Sequence, residues 1–274
     1  MTHPLTHDTR PLEQVNVLGV GVHAVSMERA TQFLLDALSI RKRGYVCVAC
    51  VNSVIEALHD PRLADIFKNA LLVTPDGMPL VWIGRGMGHC RMRRVFGPDL
   101  MSTLCAQGIA AQTKHFLYGG QPGVAQQLKA RLESRFPGIR IVGTCTPPFR
   151  PLDITERNEL IRTVDDLRPD IIWVGLSTPK QECFMAEYLP LLKTSLMIGV
   201  GAAFDFHTGR IKDSPQWVKM CGLQWLHRLL QEPRRLGKRY LLGNSEFLFR
   251  LVTQLCGFGP HIETIPGTNL PRTE

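Results

Sequence analysis

No stretch of the 274-residue sequence approaches the roughly 20 uninterrupted apolar residues of a membrane span, so no transmembrane helix is expected. The opening Met-Thr-His-Pro-Leu-Thr-His-Asp-Thr-Arg lacks a basic start followed by an apolar core, and no secretory leader is read there. No His-x-x-x-His falls on a predicted helix, and there are no paired cysteine clusters and no Asp-x-Asp, so neither a zinc site nor a metal-held nucleotide diphosphate has a motif. A G-x-S-x-G elbow is missing, which removes the usual basis for a Ser/His/Asp hydrolase. The eight cysteines are scattered, and the one C-x-x-C (Cys47 and Cys50) lies in an apolar strand-like run. Residues three apart in a strand point to opposite faces, which disfavours a redox pair there and fits a reducing compartment. The expected location is cytoplasmic.

What is present is ordinary globular composition, 44% hydrophobic and 20% charged, with a basic surplus: 32 Lys+Arg against 24 Asp+Glu, net +8. Such a surplus points to an anionic partner, whether nucleic acid, phosphorylated metabolite or acidic lipid headgroup. The aromatic residues of the first 206 positions are not laid out as a stacking platform, which counts against nucleic acid.

From residue 15 to about 205, apolar runs alternate with helical patterns. Strands are predicted at Val15–Val22, Tyr45–Val51, Leu71–Val73, Lys114–Tyr118, Ile139–Val142, Asp170–Val174 and Ser195–Val200. Helices are predicted between them, one capped by Ser26 and one opening at Pro61. This alternation predicts an α/β fold, a mostly parallel sheet covered by helices. Right-handed crossovers then bring the strand C-termini to one edge, where a ligand belongs. The chain divides into a disordered N-terminus (1–14), the α/β domain (15–206), a helical appendage (207–256) and a flexible tail (257–274). The appendage holds nine basic residues against three acidic ones between 207 and 250, interleaved with Trp217, Leu223, Trp225, Leu226, Leu229 and Leu230. It reads as two or three short amphipathic helices, suited to an anionic membrane surface or to packing on the domain itself.

Several loops at the expected ligand edge carry chemistry. Gly119 and Gly120 follow a strand and open a helix, as a phosphate-approach loop or a tight βα turn would. Gly199-Val-Gly201 is a poor dinucleotide fingerprint, since Phe204 stands at the third glycine position. In Gly175-Leu-Ser-Thr-Pro-Lys-Gln-Glu182, a lysine at a helix start is unexpected on dipole grounds. Lys180 and Gln181 therefore read as diphosphate or sugar contacts, unless Lys180 simply faces solvent. Asp76, in a Pro-Asp-Gly turn, reads as a turn residue or as a general base taking a proton from an acceptor hydroxyl, with Asn52 lining the same cleft. Arg93, Arg94 and Asp99 read as structural.

Taken together, Pro75-Asp-Gly77, Arg94-Val-Phe-Gly-Pro-Asp-Leu100, Gly175–Glu182, Gly199-Val-Gly-Ala-Ala-Phe-Asp-Phe206 and Gly222-Leu-Gln-Trp-Leu-His-Arg-Leu-Leu-Gln-Glu-Pro-Arg-Arg235 resemble the WecG/TagA/CpsF glycosyltransferases (glycosyltransferase family 26). The stretch Thr146-Pro-Pro-Phe-Arg-Pro-Leu152 looks most like the exopolysaccharide-synthesis members. The resemblance implies a Rossmann-like domain that moves N-acetylmannosamine, its uronic acid or a related hexose from a UDP-sugar donor to a polyprenyl-diphosphate-linked acceptor. The transfer would be inverting and metal-independent, without a cofactor, at the inner face of the cell membrane. By motif, Asp76 matches the catalytic base. Asn52, Gln181 and Asp205 match cleft residues, and Arg228, Arg234, Arg235 and Arg239 lie where arginines engage diphosphate. Cys50 departs from the family's usual threonine, and a thiol is the weaker hydrogen-bonding group. A non-catalytic UDP-sugar-binding subunit and a nucleic-acid-binding module are the rival readings. The family allows a homo-oligomer, which the apolar faces do not decide.

Overall fold

A computed structural model describes residues 12–256 and 264–265, without the side chains of Gln216, Arg239, Leu255, Thr264 and Ile265. A hairpin of β1 (Gln14–Val17) and β2 (Val20–His23) leads through α1 (Met27–Ser39) into β3 (Gly44–Ala49). Next come α2 (Val51–His59), α3 (Pro61–Lys68), β4 (Leu72–Pro75), α4 (Met78–Gly86) and α5 (Gly97–Gln107). β5 (Lys114–Gly119), α6 (Val124–Arg135), β6 (Arg140–Cys145), α7 (Ile154–Leu167), β7 (Ile171–Gly175), α8 (Lys180–Tyr188) and β8 (Leu196–Gly199) complete the large sheet and its helices. The chain continues with α9 (Ala203–His207), α10 (Gln216–Met220), α11 (Gln224–Gln231), α12 (Pro233–Leu255) and the short β9 (Thr264–Ile265).

The six strands of the main sheet run parallel in the order β4-β3-β8-β7-β5-β6. Parallel strands buried on both faces need apolar residues at successive positions, and β3 is buried along its whole length. Its residues divide by the period of two. Tyr45, Cys47 and Ala49 join the core shared with α2, α3, α7 and α8. Val46 and Val48 join the core shared with α1, α5, α6 and α9. Ser26 caps α1 by accepting the Arg29 N–H at 3.3 Å, and Asp60 caps α3 ahead of Pro61.

Connections stepping toward β4 cross the α2/α8 face, and those stepping toward β6 cross the α5/α6 face. Right-handed crossovers require this division. The direction reverses between β5 and β7, which opens a crevice at their C-terminal ends.

One expectation is corrected. Val15–Val22 is not one strand but an antiparallel hairpin, turning at Leu18 (φ 51°) and Gly19 (φ 92°) and belonging to a separate small sheet. Of the N-terminal segment expected to be disordered, residues 1–11 lie outside the described residues, while Leu12 is buried and β1 opens at Gln14. Thr264 and Ile265, placed in the tail expected to be flexible, pair with Val15 and Gln14.

The appendage also differs in form: α12 is a single helix of 23 residues. Its inner side packs on α2, with Phe247 buried and His59 Nε2 lying 3.0 Å from Glu246 Oε2. Burial of a phenylalanine contributes about 1.5–3 kcal/mol, enough to seat the helix there. No described helix is long and apolar enough to cross a membrane.

Candidate active site

All six strand exits lie along one edge. In spatial order they present Asp76 after β4, Cys50 and Asn52 after β3, Gly201 to Asp205 after β8, Ser177 to Gln181 after β7, Gly119 and Gly120 after β5, and Thr146 after β6. Parallel topology thus brings together residues spread from position 50 to position 205 of the sequence.

At the β5/β7 reversal the two exits press together. Gly119 (φ 126°) sits so close that an added Cβ would lie 2.6 Å from the Gly175 carbonyl oxygen. The Gly120 N–H donates to that oxygen at 3.1 Å. Gly123, itself left-handed, precedes α6 without a side-chain cap, so the first-turn amides of this helix face the crevice end of the sheet. Arg210 Nη1 donates to Gln121 Oε1 at 3.1 Å, placing a guanidinium at the glycine loop.

Asp76 is fixed by backbone and side chain alike. Its N–H donates to the Ala49 carbonyl at 2.8 Å, locking the turn against the neighbouring strand exit. Arg94 donates to Asp76 Oδ1 from Nη2 at 2.7 Å and from Nε at 3.1 Å, and also to the Asp76 carbonyl. Oδ2 receives no hydrogen bond from a described residue. The pair is about four-fifths buried, with side chains 17% and 22% exposed. Asn52 is buried in the first turn of α2, whose start lies against Gly77. Cys50, half-buried at the cap of that helix, has its sulfur 3.6 Å from Ser53 Oγ.

Gln181 is buried and committed to protein at both ends of its amide. Its Oε1 accepts from the Gly201 N–H at 2.9 Å, and its Nε2 donates to Glu182 Oε1 at 3.0 Å. Thr178 Oγ1 donates to the same carboxylate oxygen at 2.9 Å. Instead of standing open for a sugar, Gln181 braces the β7 exit to the β8 exit. Glu182 is fully buried; burial, with the Glu182 carboxylate adding to it, holds the Cys47 thiol well above its usual range. Lys180 is exposed and has no hydrogen bond or ion pair with a described residue.

The appendage arginines divide. Arg228 and Arg235 converge on Glu232, Arg228 Nη2 at 3.2 Å and Arg235 Nη2 at 2.6 Å. Arg228 Nε is buried without a hydrogen-bond partner among the described residues. Arg234 is exposed and unpaired among them, and the Arg239 side chain lies outside the described set. Burial pushes the Asp205 carboxyl above its ordinary range, against the pull of Arg210, Arg235 and Arg228 and with the push of Glu232. Asp205, Arg210, Arg228, Glu232 and Arg235 therefore form one electrostatic group at the β8 exit.

Arg94 and Arg210 were missing from the expected site. Arg94 sat in a stretch read as structural, and Arg210 counted only toward the charge of the appendage. Among the described residues, no three His, Cys, Asp or Glu side chains are grouped to hold a metal.

A family model described as "Glycosyl transferase WecG/TagA/CpsF family" matches residues 15–259. The chain belongs to this family. It is a glycosyltransferase, and its relatives place it in polysaccharide biosynthesis. One relative, from Bacillus spizizenii, is 26% identical over 227 residues, covering 83% of this chain and 85% of its own. That protein is an N-acetylglucosaminyldiphosphoundecaprenol N-acetyl-beta-D-mannosaminyltransferase. The matched region includes both the sheet edge and the appendage of this glycosyltransferase.

Proposed function

We propose that this glycosyltransferase moves an N-acetylmannosamine-like hexose, its uronic acid or a glucose-like sugar from a UDP-sugar to a polyprenyl-diphosphate-linked saccharide, with inversion and without a metal. The observation that carries the reading is a single sheet edge bearing a held carboxylate, Asp76, and a cationic group built from Arg210, Arg228 and Arg235. Asp76 takes the proton of the acceptor hydroxyl through Oδ2. The hydroxyl oxygen attacks the anomeric carbon as the carbon–oxygen bond to UDP breaks, and the electron pair leaves on the diphosphate. Arginines and the amides at the start of α6 stabilise that charge. Gly119 and Gly120 let the donor approach the β5/β7 crevice, and Lys180 at the next exit adds a cation. The relative's named acceptor supports the lipid-linked substrate.

The same reading places the enzyme peripherally on the inner, anionic face of the cell membrane, working on exopolysaccharide or another envelope polymer. Leu241, Leu242, Leu248, Phe249 and Val252 are exposed on α12 while Phe247 faces the domain, an outer face suited to a leaflet. Basic residues near such a surface contribute about 1 kcal/mol each.

Asp76→Asn should lower turnover by about 10²–10⁴ with UDP-sugar affinity nearly intact. Unchanged turnover removes Asp76 from the mechanism, and loss of transfer on chelation removes the metal-independent part.

A further inference from the structure

α10 and α11 are seated by little apolar burial. Trp217, Met220, Leu223, Trp225, Leu226 and Leu230 are all exposed, while Val218 is buried. Something else must hold these helices in register with the sheet edge. Two phenylalanines stand at that boundary, Phe96 at the cap of α5 and Phe206 on α9. Their rings pack edge to face at 5.4 Å with an interplanar angle of 79°.

Three cations lie over these two rings. The Arg94 guanidinium is 4.4 Å from the Phe96 centroid and Lys219 Nζ is 5.2 Å from the same ring. The Arg228 guanidinium is 5.6 Å from the Phe206 centroid. Each cation also has a carboxylate: Asp76 for Arg94, Asp213 for Lys219 and Glu232 for Arg228. Burial raises the Asp99 carboxyl above its ordinary range, with Lys219 and Arg94 pulling it down and Asp213 and Asp76 pushing it up. One cation of the three belongs to the wall that carries Asp76, and the other two come from the appendage.

We propose that Phe96 and Phe206 form an aromatic clasp that registers the appendage cations Lys219 and Arg228 on the wall holding Asp76. The two phenylalanines are positioning residues, and the inference rests on the reading of Asp76 as the base. A ring face attracts cations from both structural parts at once, which an aliphatic side chain of similar volume cannot do. Docking of the appendage and alignment of Arg94 on Asp76 are thereby set by the same pair of rings.

The test uses the full-length enzyme carrying Phe206→Leu or Phe96→Leu, with Phe206→Tyr and Phe96→Tyr as conservative partners. Each Leu variant should lower kcat on a lipid-linked acceptor about 3–30-fold while KM for the UDP-sugar stays within about twofold. Trypsin should cut the segment 207–256 several-fold faster, and the Tyr variants should restore both readouts. If Phe96→Leu fails to fold, Lys219→Gln takes its place and should reproduce the faster cutting. Wild-type kcat and cutting in Phe206→Leu would overturn the clasp, as would a Tyr variant no better than Leu. The Asp76→Asn variant separates the two ideas. If it retains full turnover, the base reading fails while trypsin cutting still judges the clasp.

Discussion

The Arg94–Asp76 pair gives the sharpest quantitative handle on the site. Arg94→Met keeps an unbranched apolar stem and removes the guanidinium fork. Two hydrogen bonds to Asp76 Oδ1, at 2.7 and 3.1 Å, disappear, along with one to the Asp76 carbonyl. Hydrogen bonds to charged groups contribute about 1.5–3 kcal/mol, and with both side chains about four-fifths buried, screening by solvent is weak. If that energy serves to aim Oδ2 at the acceptor, kcat falls about 10–150-fold. Arg94→Lys keeps the charge without the two-pronged geometry and should fall between wild type and Arg94→Met. Initial rates of UDP release at saturating lipid acceptor, with donor concentration varied, separate kcat from KM. A thermal melt of each variant checks folding. An unchanged kcat in a folded Arg94→Met enzyme would refute the claim that this pair aims the base. A loss confined to KM would move Arg94 from the acceptor side to the donor.

Other consequences are independent of that pair. Gly119→Ala puts a Cβ 2.6 Å from the Gly175 carbonyl, whereas Gly123→Ala meets nothing within 4 Å. Both variants bear left-handed strain of roughly 1–2 kcal/mol, so a melting temperature clearly lower for Gly119→Ala isolates the close approach at the crevice. Replacing Leu248 and Phe249 by Gln leaves the buried Phe247 in place. This double variant should lose binding to anionic liposomes while melting near wild type, and retained binding would discard the outer face of α12 as a membrane contact. Burial holds His23 and His115 down to about 4, so the folded protein binds protons less readily than the unfolded chain. Their stabilising share is present above pH 6.5 and is lost as pH falls toward 4, about 3 kcal/mol for each. Urea midpoints at several pH values check this, and a midpoint flat from pH 7 to 4 would contradict it.

The parallel sheet was legible because its inner strands are apolar on both faces, which leaves uninterrupted runs such as Tyr45 to Ala49. The same rule misled at Val15–Val22. Leu18, at the turn of the hairpin, is itself buried at 5% exposure, and the polar residue that holds the turn, Asn16, stands two positions earlier, accepting the Gly19 N–H at 2.8 Å. Asn16 and Gly19 mark the turn, but an asparagine and a glycine set singly inside an apolar run are weak evidence against a strand. α12 illustrates tertiary override. It runs unbroken through Gly237 and Gly243, whose Cβ positions would meet nothing within 4 Å. Each glycine costs about 1 kcal/mol of helix propensity, which packing through Leu236 and Phe247 offsets.

The loops of the site were legible for a topological reason, and the roles of their side chains were not. Strand order and crossover hand fix which loops share an edge, so Asp76 and Gly119 could be grouped from alternation, whereas Asp205 entered only through the family resemblance. Whether a side chain looks into the crevice or back into the protein depends on which neighbour takes its hydrogen bonds. Gln181 and Arg210 show the difference. Gln181, in the most specific motif, turned inward because the Gly201 amide and Glu182 occupy both ends of its side chain. Arg210, in no motif, reached the glycine loop because its backbone N–H is tied at 2.9 Å to the carbonyl of Asp205, five residues earlier. That tie folds the first turn after α9 back over the sheet edge and carries the guanidinium to Gln121. The cation at the glycine loop is thus delivered by a turn, and its partner Gln121 lies 89 residues away, a separation that no local pattern spans.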